Sequence, residues 1–175
     1  AILIRPATLL LEKKDIFFSP RYQKQYAYFK NSYDHSQYVQ KKNPEIIPDE
    51  IFESFAAGAF INGLNPILIV HDHPPLGRYI IGLSILLFDN QNTIIIFSLF
   101  FAGLGVFLIG QIVLKNALLS LIPLGIFINE PLFLSKIIYS PLLEPVQLPF
   151  ILSAVYFFTK GVTEKKSIHW FIACS

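Results

Sequence analysis

The stretch that decides the fold is TIIIFSLFFAGLGVFLIGQIVL, residues 93–114, a run of 22 residues without a charged side chain. At about 1.5 Å per residue, a helix of this length reaches roughly 33 Å, which is enough to cross the hydrocarbon core of a bilayer. Two more apolar runs follow, and we predict membrane helices at 117–135 and 145–160, with another beginning at 167. The chain is therefore predicted to be an all-α polytopic membrane protein.

The composition supports a membrane protein. Of the 175 residues, 53% are hydrophobic and 15% are charged, and the mean hydropathy is +0.52. A soluble domain normally carries about 25% charged residues. Of the 26 charged side chains, 17 lie in residues 1–78, nine of them positive and eight negative. Because the two signs nearly cancel, no basic surface for phosphates remains, and the sequence argues against a nucleic-acid partner.

The first part of the chain is predicted to be mostly extracytoplasmic. Residues 1–11 (AILIRPATLLL) are too short to span a bilayer, and we interpret them either as the tail of a truncated first membrane helix or as a frayed end. Residues 12–92 are predicted to form a long extracytoplasmic loop with amphipathic or juxtamembrane helices. Since the chain has no Met and stops in an apolar run, we expect it to be a piece of a longer protein.

Within this loop, only some segments show helical periodicity. Residues 12–47 mix Tyr with Lys, which favours a solvated or interfacial loop. After Pro48, apolar residues recur every three or four positions, which predicts a helix that starts at Asp49 and stops at Asn62. Residues 64–78 are predicted to be a loop because of their prolines, and 79–88 to be a helix that lies on the membrane surface or re-enters it.

The positive charges predict the orientation. Short loops rich in Lys and Arg favour the cytoplasm. Lys115 and Lys160 lie in two loops separated by two predicted spans, so both are expected on the cytoplasmic side, with Lys165 and Lys166 beside the second. The N-terminal region and Glu144 are then expected on the opposite side.

Two groups of polar residues are candidates for chemistry. Acidic side chains near apolar segments are Asp49, Glu50, Asp72 and Glu144. Ionisable groups at membrane depth are costly and point to function, although for Glu144 composition alone favours an interfacial carboxylate in water. The segment HDHPPLGR, residues 71–78, combines an acid, two imidazoles and a guanidinium. Such a set could hold a divalent metal or a lipid-linked phosphate.

Three stretches carry a resemblance. They are PDEIFESFAAGAFINGLNP at 48–66, HDHPPLGRYIIGLSILLF at 71–88 and PLLEPVQLPFILSAVYFFTKG at 141–161. In this order they are similar to the first part of a family-39-type glycosyltransferase, the group that includes protein O-mannosyltransferases. The resemblance implies a GT-C fold, with an active site at the extracytoplasmic face and sugars taken from polyprenyl-phosphate donors. It also implies residence in a prokaryotic plasma membrane or in the eukaryotic endoplasmic reticulum.

The resemblance also implies roles for individual residues. Asp49 corresponds to the catalytic base and Glu50 to a supporting acid, while Glu144 stands where the family usually has Asp. Related lipid A aminoarabinose transferases have an acidic residue and a basic residue just before two prolines. This comparison maps Asp72 onto a metal site and His73 onto a phosphate site, with Arg78 as a second phosphate ligand. No cofactor other than such a divalent metal is implied.

The implied reaction is an inverting transfer. A carboxylate takes the proton of an acceptor hydroxyl, on a protein or a lipid, as that hydroxyl attacks the anomeric carbon of the donor sugar. Cationic groups stabilise the departing phosphate. Two alternatives from other classes remain open. One is a transporter or channel subunit with Asp49 and Glu144 on an ion path, and the other is a noncatalytic membrane scaffold with a partner-binding Tyr-rich loop.

Overall fold

The computed structural model describes residues 4–70, 74–164 and 172, and over these residues the chain is all-helical. Helix accounts for 77% of the structure. The helices are α1 Ile4–Glu12, α2 Lys14–Phe18, α3 Tyr22–Asp34, α4 Asp49–Ile61, α5 Pro66–Ile69, α6 Leu76–Phe88, α7 Thr93–Leu114, α8 Ala117–Asn129, α9 Pro131–Ile138 and α10 Leu143–Glu164. The predicted start of a helix at 167 lies outside the described residues.

The helices form two compact units. The first, which we call the loop unit, comprises Lys13–Ile96 and Tyr139–Leu143. The second, the apolar unit, comprises the rest of the described chain, from α1 and from most of α7 to α10. The candidate catalytic pair of the sequence, Asp49 and Glu50, lies in the loop unit.

Within residues 4–70, 74–164 and 172, two long helices are apolar enough to cross a membrane. They are Thr93–Leu114, with a mean hydropathy of 2.4, and Leu143–Glu164, with a mean hydropathy of 1.2. Only 39% and 11% of their apolar windows are buried inside the protein. A core helix of a soluble protein passes the same length test but is mostly buried, and these two are not. The prediction of apolar helices at 93–114 and 145–160 is confirmed, and the second is longer than expected.

The second predicted span differs from the structure. Residues 117–135 were predicted as one helix, but α8 ends at Asn129 and α9 begins at Pro131. Pro131 cannot donate a backbone hydrogen bond into a continuing helix. Glu130 instead caps α9, because its Oε2 accepts from the backbone N–H of Phe133 at 3.0 Å. The turn before α8 is as predicted, with Asn116 Oδ1 accepting from the N–H groups of Leu118 and Leu119.

In the loop unit, the predicted loop over 12–47 is wrong for its first part, where the structure has α2 and α3. The aromatic residues of α3 recur at helical spacing, as Tyr22, Tyr26, Phe29 and Tyr33. This stripe packs on α4: the Tyr22 hydroxyl donates to the carbonyl of Ser54 at 3.0 Å, and the Tyr33 ring stacks on Phe55 at 4.2 Å. Burial of an aromatic stripe stabilises the helix.

Small residues let α4 pack closely against its neighbours. A Cβ atom on Gly58 would lie 1.7 Å from the Tyr22 hydroxyl, and one on Gly82 of α6 would lie 2.4 Å from Ile61 and 3.2 Å from the carbonyl of Ala57. The helix itself is confirmed at the predicted positions, Asp49–Ile61, with Asn62 after it. The predicted loop at 64–78 is shorter than expected, because α5 lies within it and α6 already begins at Leu76.

A buried polar cluster holds the turn between α6 and α7. Asn90, 1% exposed, donates from Nδ2 to the carbonyls of Ile16 and Ser19 at 2.9 and 2.8 Å. Its Oδ1 accepts from the N–H of Asn92 at 2.7 Å, and the Ser84 hydroxyl donates to its backbone carbonyl at 2.6 Å. The turn is therefore fastened to the segment that precedes α3.

This cluster leads to a stability prediction. Asn90→Ala removes three hydrogen bonds of a buried side chain, one of them fully buried and two partly buried, so the free energy of unfolding should fall by about 2–4 kcal/mol. Chemical denaturation followed by circular dichroism measures the change. Asn31→Ala, on the exposed side of α3, is the control and should stay within about 0.5 kcal/mol of the unmodified protein. An equal effect of both substitutions would contradict the prediction.

Candidate functional site

The first turn of α4 presents two carboxylates, and we call it the acidic turn. Pro48 precedes the helix in an extended conformation, with φ −71° and ψ 157°. Asp49 is exposed and Glu50 is partly exposed. Carboxylates at this position are stabilised by the helix dipole, since the first N–H groups of a helix point toward them. The acidic turn therefore presents two carboxyl groups that are accessible to a substrate.

One turn further along α4, a buried ion pair joins this helix to α6. Arg78 Nη2 donates to Glu53 Oε1 at 2.8 Å, and the two residues are only 1% and 6% exposed. The guanidinium also lies over the Phe52 ring, 5.4 Å from its centroid. Buried charges need such partners, because desolvation of an isolated charge is very costly. The pair therefore fixes the start of α6 against the acidic end of α4.

The two helices run in the same direction. Glu53 contacts Arg78, while Ala57 and Ile61 approach Gly82, so positions increase together along α4 and α6. The N-terminal ends of both helices therefore lie at the same end of the loop unit. This brings the acidic turn and the start of α6, which follows Pro75, to one end of the unit. The positive ends of two helix dipoles lie there.

Glu53 is not among the candidate residues predicted from the sequence, although the sequence contains a signal for it. Glu53 is the one charged residue in the otherwise apolar stretch IFESFAAGAF, residues 51–60. A charge on the buried face of an amphipathic helix calls for a partner. Its position four residues after Asp49 also places both on one face of α4. What the sequence alone does not supply is the identity of the partner, which lies 25 residues away in Arg78.

The proposed phosphate ligand Arg78 is buried, and only part of its guanidinium is hydrogen-bonded to described residues. Its Nη2 is engaged by Glu53, whereas Nε and Nη1 are buried without a hydrogen-bond partner among the residues that the structure describes. The guanidinium thus retains donors beyond those used by the ion pair. The other two residues of this predicted site, Asp72 and His73, lie outside the described residues, and the roles predicted for all three stay predictions.

An aromatic stack covers the same end of α4. Tyr38 lies on Phe52, with ring centroids 4.1 Å apart and an angle of 18° between the planes. Tyr33 stacks on Phe55, and also faces Phe52 at 6.2 Å. Burial raises the pKa of the Tyr33 phenol, and the charge of Asp34 raises it further. Tyr33 therefore stays neutral at physiological pH, while Tyr38 presents an aromatic surface beside the acidic turn.

The remaining predicted acid, Glu144, belongs to the apolar unit. It lies in the first turn of α10, its side chain is 58% exposed, and its Oε1 accepts from Lys136 Nζ at 2.9 Å. This ion pair joins α9 to α10. Glu144 therefore has a cationic partner, Lys136, within the apolar unit. The acidic turn belongs to the loop unit.

A separate cavity of about 560 Å³ lies at the far end of α4. Tyr22, Asn62 and Asp89 are among the residues that line it. Asp89 caps α3, since its Oδ1 accepts from the N–H of Gln23 at 2.9 Å. Burial raises the pKa of the Tyr22 phenol, with a further contribution from Tyr26, so the hydroxyl remains a donor to Ser54. This cavity is not part of the acidic site.

The described residues contain no group of three or more His, Cys, Asp or Glu side chains that could hold a metal ion. The metal predicted at Asp72 concerns a residue outside that part of the chain. Comparison of the chain with protein-family models, with curated proteins and with solved structures finds no match. The described part of the chain is thus all-helical with two candidate membrane helices, and its candidate site is an exposed acidic turn beside a buried ion pair.

Proposed function

We propose that this chain is part of a membrane glycosyltransferase that moves a sugar from a polyprenyl-phosphate donor to a hydroxyl acceptor on a protein or lipid. The observation that carries the proposal is the exposed acidic turn at the start of α4, held beside the start of α6 by the Glu53–Arg78 pair. A transferase of this type needs a carboxylate that is both ionised and accessible. The resemblance of residues 48–161 to family-39-type enzymes supports the same conclusion.

In this proposal Asp49 takes the proton from the acceptor hydroxyl while the hydroxyl oxygen attacks the anomeric carbon. The bond from that carbon to the phosphate oxygen breaks, and the polyprenyl phosphate leaves with the bonding electrons. Glu50 assists Asp49 in its role as the base. Arg78 and His73 stabilise the negative charge that develops on the departing phosphate. One displacement with one base inverts the anomeric configuration. A carboxylate attached to a rigid helix end is well suited to this step.

The test is an activity assay with the full-length protein in its membrane. Mannosyl, glucosyl and galactosyl phosphoryl polyprenols serve as donors, and hydroxyl-containing peptides and lipids serve as acceptors. We expect sugar transfer from at least one donor, with inversion at the anomeric carbon as measured by NMR of the product. Failure of every donor with both acceptor classes, in a protein shown to be folded, would contradict the proposal.

The proposal also predicts the topology. A Cys introduced at the exposed Lys41, in a protein whose Cys174 is replaced by Ser, should react with a membrane-impermeant maleimide added outside the cell or on the luminal side. The same substitution at the exposed Lys115 should react only after permeabilisation, because Lys115 belongs to a predicted cytoplasmic turn. The reverse pattern would place the acidic turn in the cytoplasm and remove the proposed reaction compartment.

A further inference from the structure

Residues 35–47 form an ordered loop on the acidic end of α4, and we call them the stacking loop. The backbone N–H of Gln37 donates to the carbonyl of Glu45 at 3.0 Å, and the N–H of Glu45 donates to the carbonyl of His35 at 2.9 Å. The Gln37 side chain closes the loop, because its Oε1 accepts from the N–H of Ile47 at 3.0 Å and its Nε2 donates to the carbonyl of Ile47 at 3.3 Å. The loop therefore has a defined conformation of its own.

The stacking loop holds one aromatic ring, that of Tyr38, in a defined position. Tyr38 follows Gln37 directly, and one face of its ring lies nearly parallel to Phe52. Phe52 is in turn backed by the Arg78 guanidinium and is 4% exposed. Tyr38 itself is 46% exposed. A ring that is stacked on Phe52 and still partly exposed offers a rigid aromatic surface, which loses little side-chain freedom when a ligand covers its exposed part.

The position of this ring suggests its ligand. Phe52 follows Asp49 by three positions on α4, so the Tyr38 ring that stacks on Phe52 lies on the same face of the helix as the Asp49 carboxylate, which accepts hydrogen bonds. A pyranose ring combines a face of C–H groups with a rim of hydroxyl donors. The C–H face suits the electron-rich surface of an aromatic ring, and the hydroxyls suit carboxylates.

We propose that Tyr38 is a stacking platform for a hexopyranose ring, namely the sugar of the donor. This inference rests on the proposed function for the identity of the donor, but the binding of a sugar ring can be tested without transfer. Tyr38 is a positioning residue: it orients the sugar so that the anomeric carbon faces the acceptor hydroxyl held by Asp49. Its loss should therefore weaken sugar binding and the donor KM more than it changes kcat.

The experiment compares three variants of the full-length protein in nanodiscs, which contain no glycoside detergent. Tyr38→Phe keeps the ring, and Tyr38→Leu keeps an apolar contact with Phe52 but has no aromatic face. Tyr28→Leu is the matched control, because Tyr28 is 56% exposed and lies on α3 against Phe29. Saturation-transfer difference NMR with methyl mannopyranoside, glucopyranoside and galactopyranoside measures binding, and steady-state kinetics measure the donor KM.

We expect saturation transfer to at least one glycoside, concentrated on the ring hydrogens of one face. Tyr38→Leu should lose it and raise the donor KM by about 3- to 10-fold, while Tyr38→Phe and Tyr28→Leu keep both. Transfer activity that depends on Asp49, together with binding and KM that do not depend on Tyr38, would overturn the platform and leave the proposed function intact. Tyr38-dependent glycoside binding without transfer from any polyprenyl-phosphate donor would do the reverse. Absence of glycoside binding in the unmodified protein would also overturn the platform.

Discussion

Replacing Asp49 by Asn is expected to lower the turnover of the full-length transferase by about 10²- to 10⁴-fold, the usual worth of a general base. The amide keeps the size and the helix-start position of the carboxylate but cannot accept the proton of the acceptor hydroxyl. Since the Asp49 side chain is exposed, folding should be unaffected. Single-turnover kinetics with saturating donor measure the effect on the chemical step.

Two other substitutions make this result specific. Glu50→Gln should reduce turnover by less, since Glu50 has a supporting role in the proposed mechanism. Glu45→Gln removes an exposed carboxylate from the stacking loop and should leave turnover within about twofold. Full activity of Asp49→Asn would show that the base lies elsewhere, and Glu144 would be the next carboxylate to replace. Equal losses in all three variants would indicate a general electrostatic effect.

The helices that the sequence predicted best are those whose stability depends on their own composition. The apolar run at 93–114 and the amphipathic run after Pro48 are long, periodic and bounded by polar residues, and both are helices at the predicted positions. By contrast, α3 is polar on average, and its helical signal consists of four aromatic residues among Lys and Gln. What stabilises α3 is the packing of those rings against α4, and the contacts link residues 32 positions apart (Tyr22 and Ser54) and 22 positions apart (Tyr33 and Phe55).

The residues of the candidate site likewise divide into those that local sequence predicted and those that depend on contacts distant in the chain. The acidic turn could be located from its sequence, because Asp49 and Glu50 directly follow a proline at the start of a periodic run. The Glu53–Arg78 pair could not, since it depends on the parallel packing of α4 on α6, which Gly82 permits. Tyr38 was part of a Tyr-rich segment without a distinguishing pattern. The ring stacks on Phe52 because the Gln37 side chain closes the loop that carries Tyr38.

The second large effect is expected from separating the buried pair. Glu53→Met removes the carboxylate that the Arg78 guanidinium contacts, and Arg78→Met removes the guanidinium that Glu53 contacts. Either substitution should lower the free energy of unfolding by about 3–5 kcal/mol, because a buried charge then loses a charged partner. Chemical denaturation measures this, and Lys30→Met, which breaks the exposed pair with Asp34, is the control with an expected loss below about 1 kcal/mol.

The double variant Glu53→Met/Arg78→Met separates the structural role of the pair from the proposed phosphate role of Arg78. Two apolar side chains of similar length can replace a buried ion pair at little cost, so the stability should return to within about 1 kcal/mol of the unmodified protein. If Arg78 also contacts the donor phosphate, the KM for the lipid donor should stay raised by about 10- to 100-fold, since charged hydrogen bonds contribute about 1.5–3 kcal/mol. Recovery of both stability and donor KM would show that Arg78 only holds α6 against α4. Single variants as stable as the unmodified protein would contradict the buried pair itself.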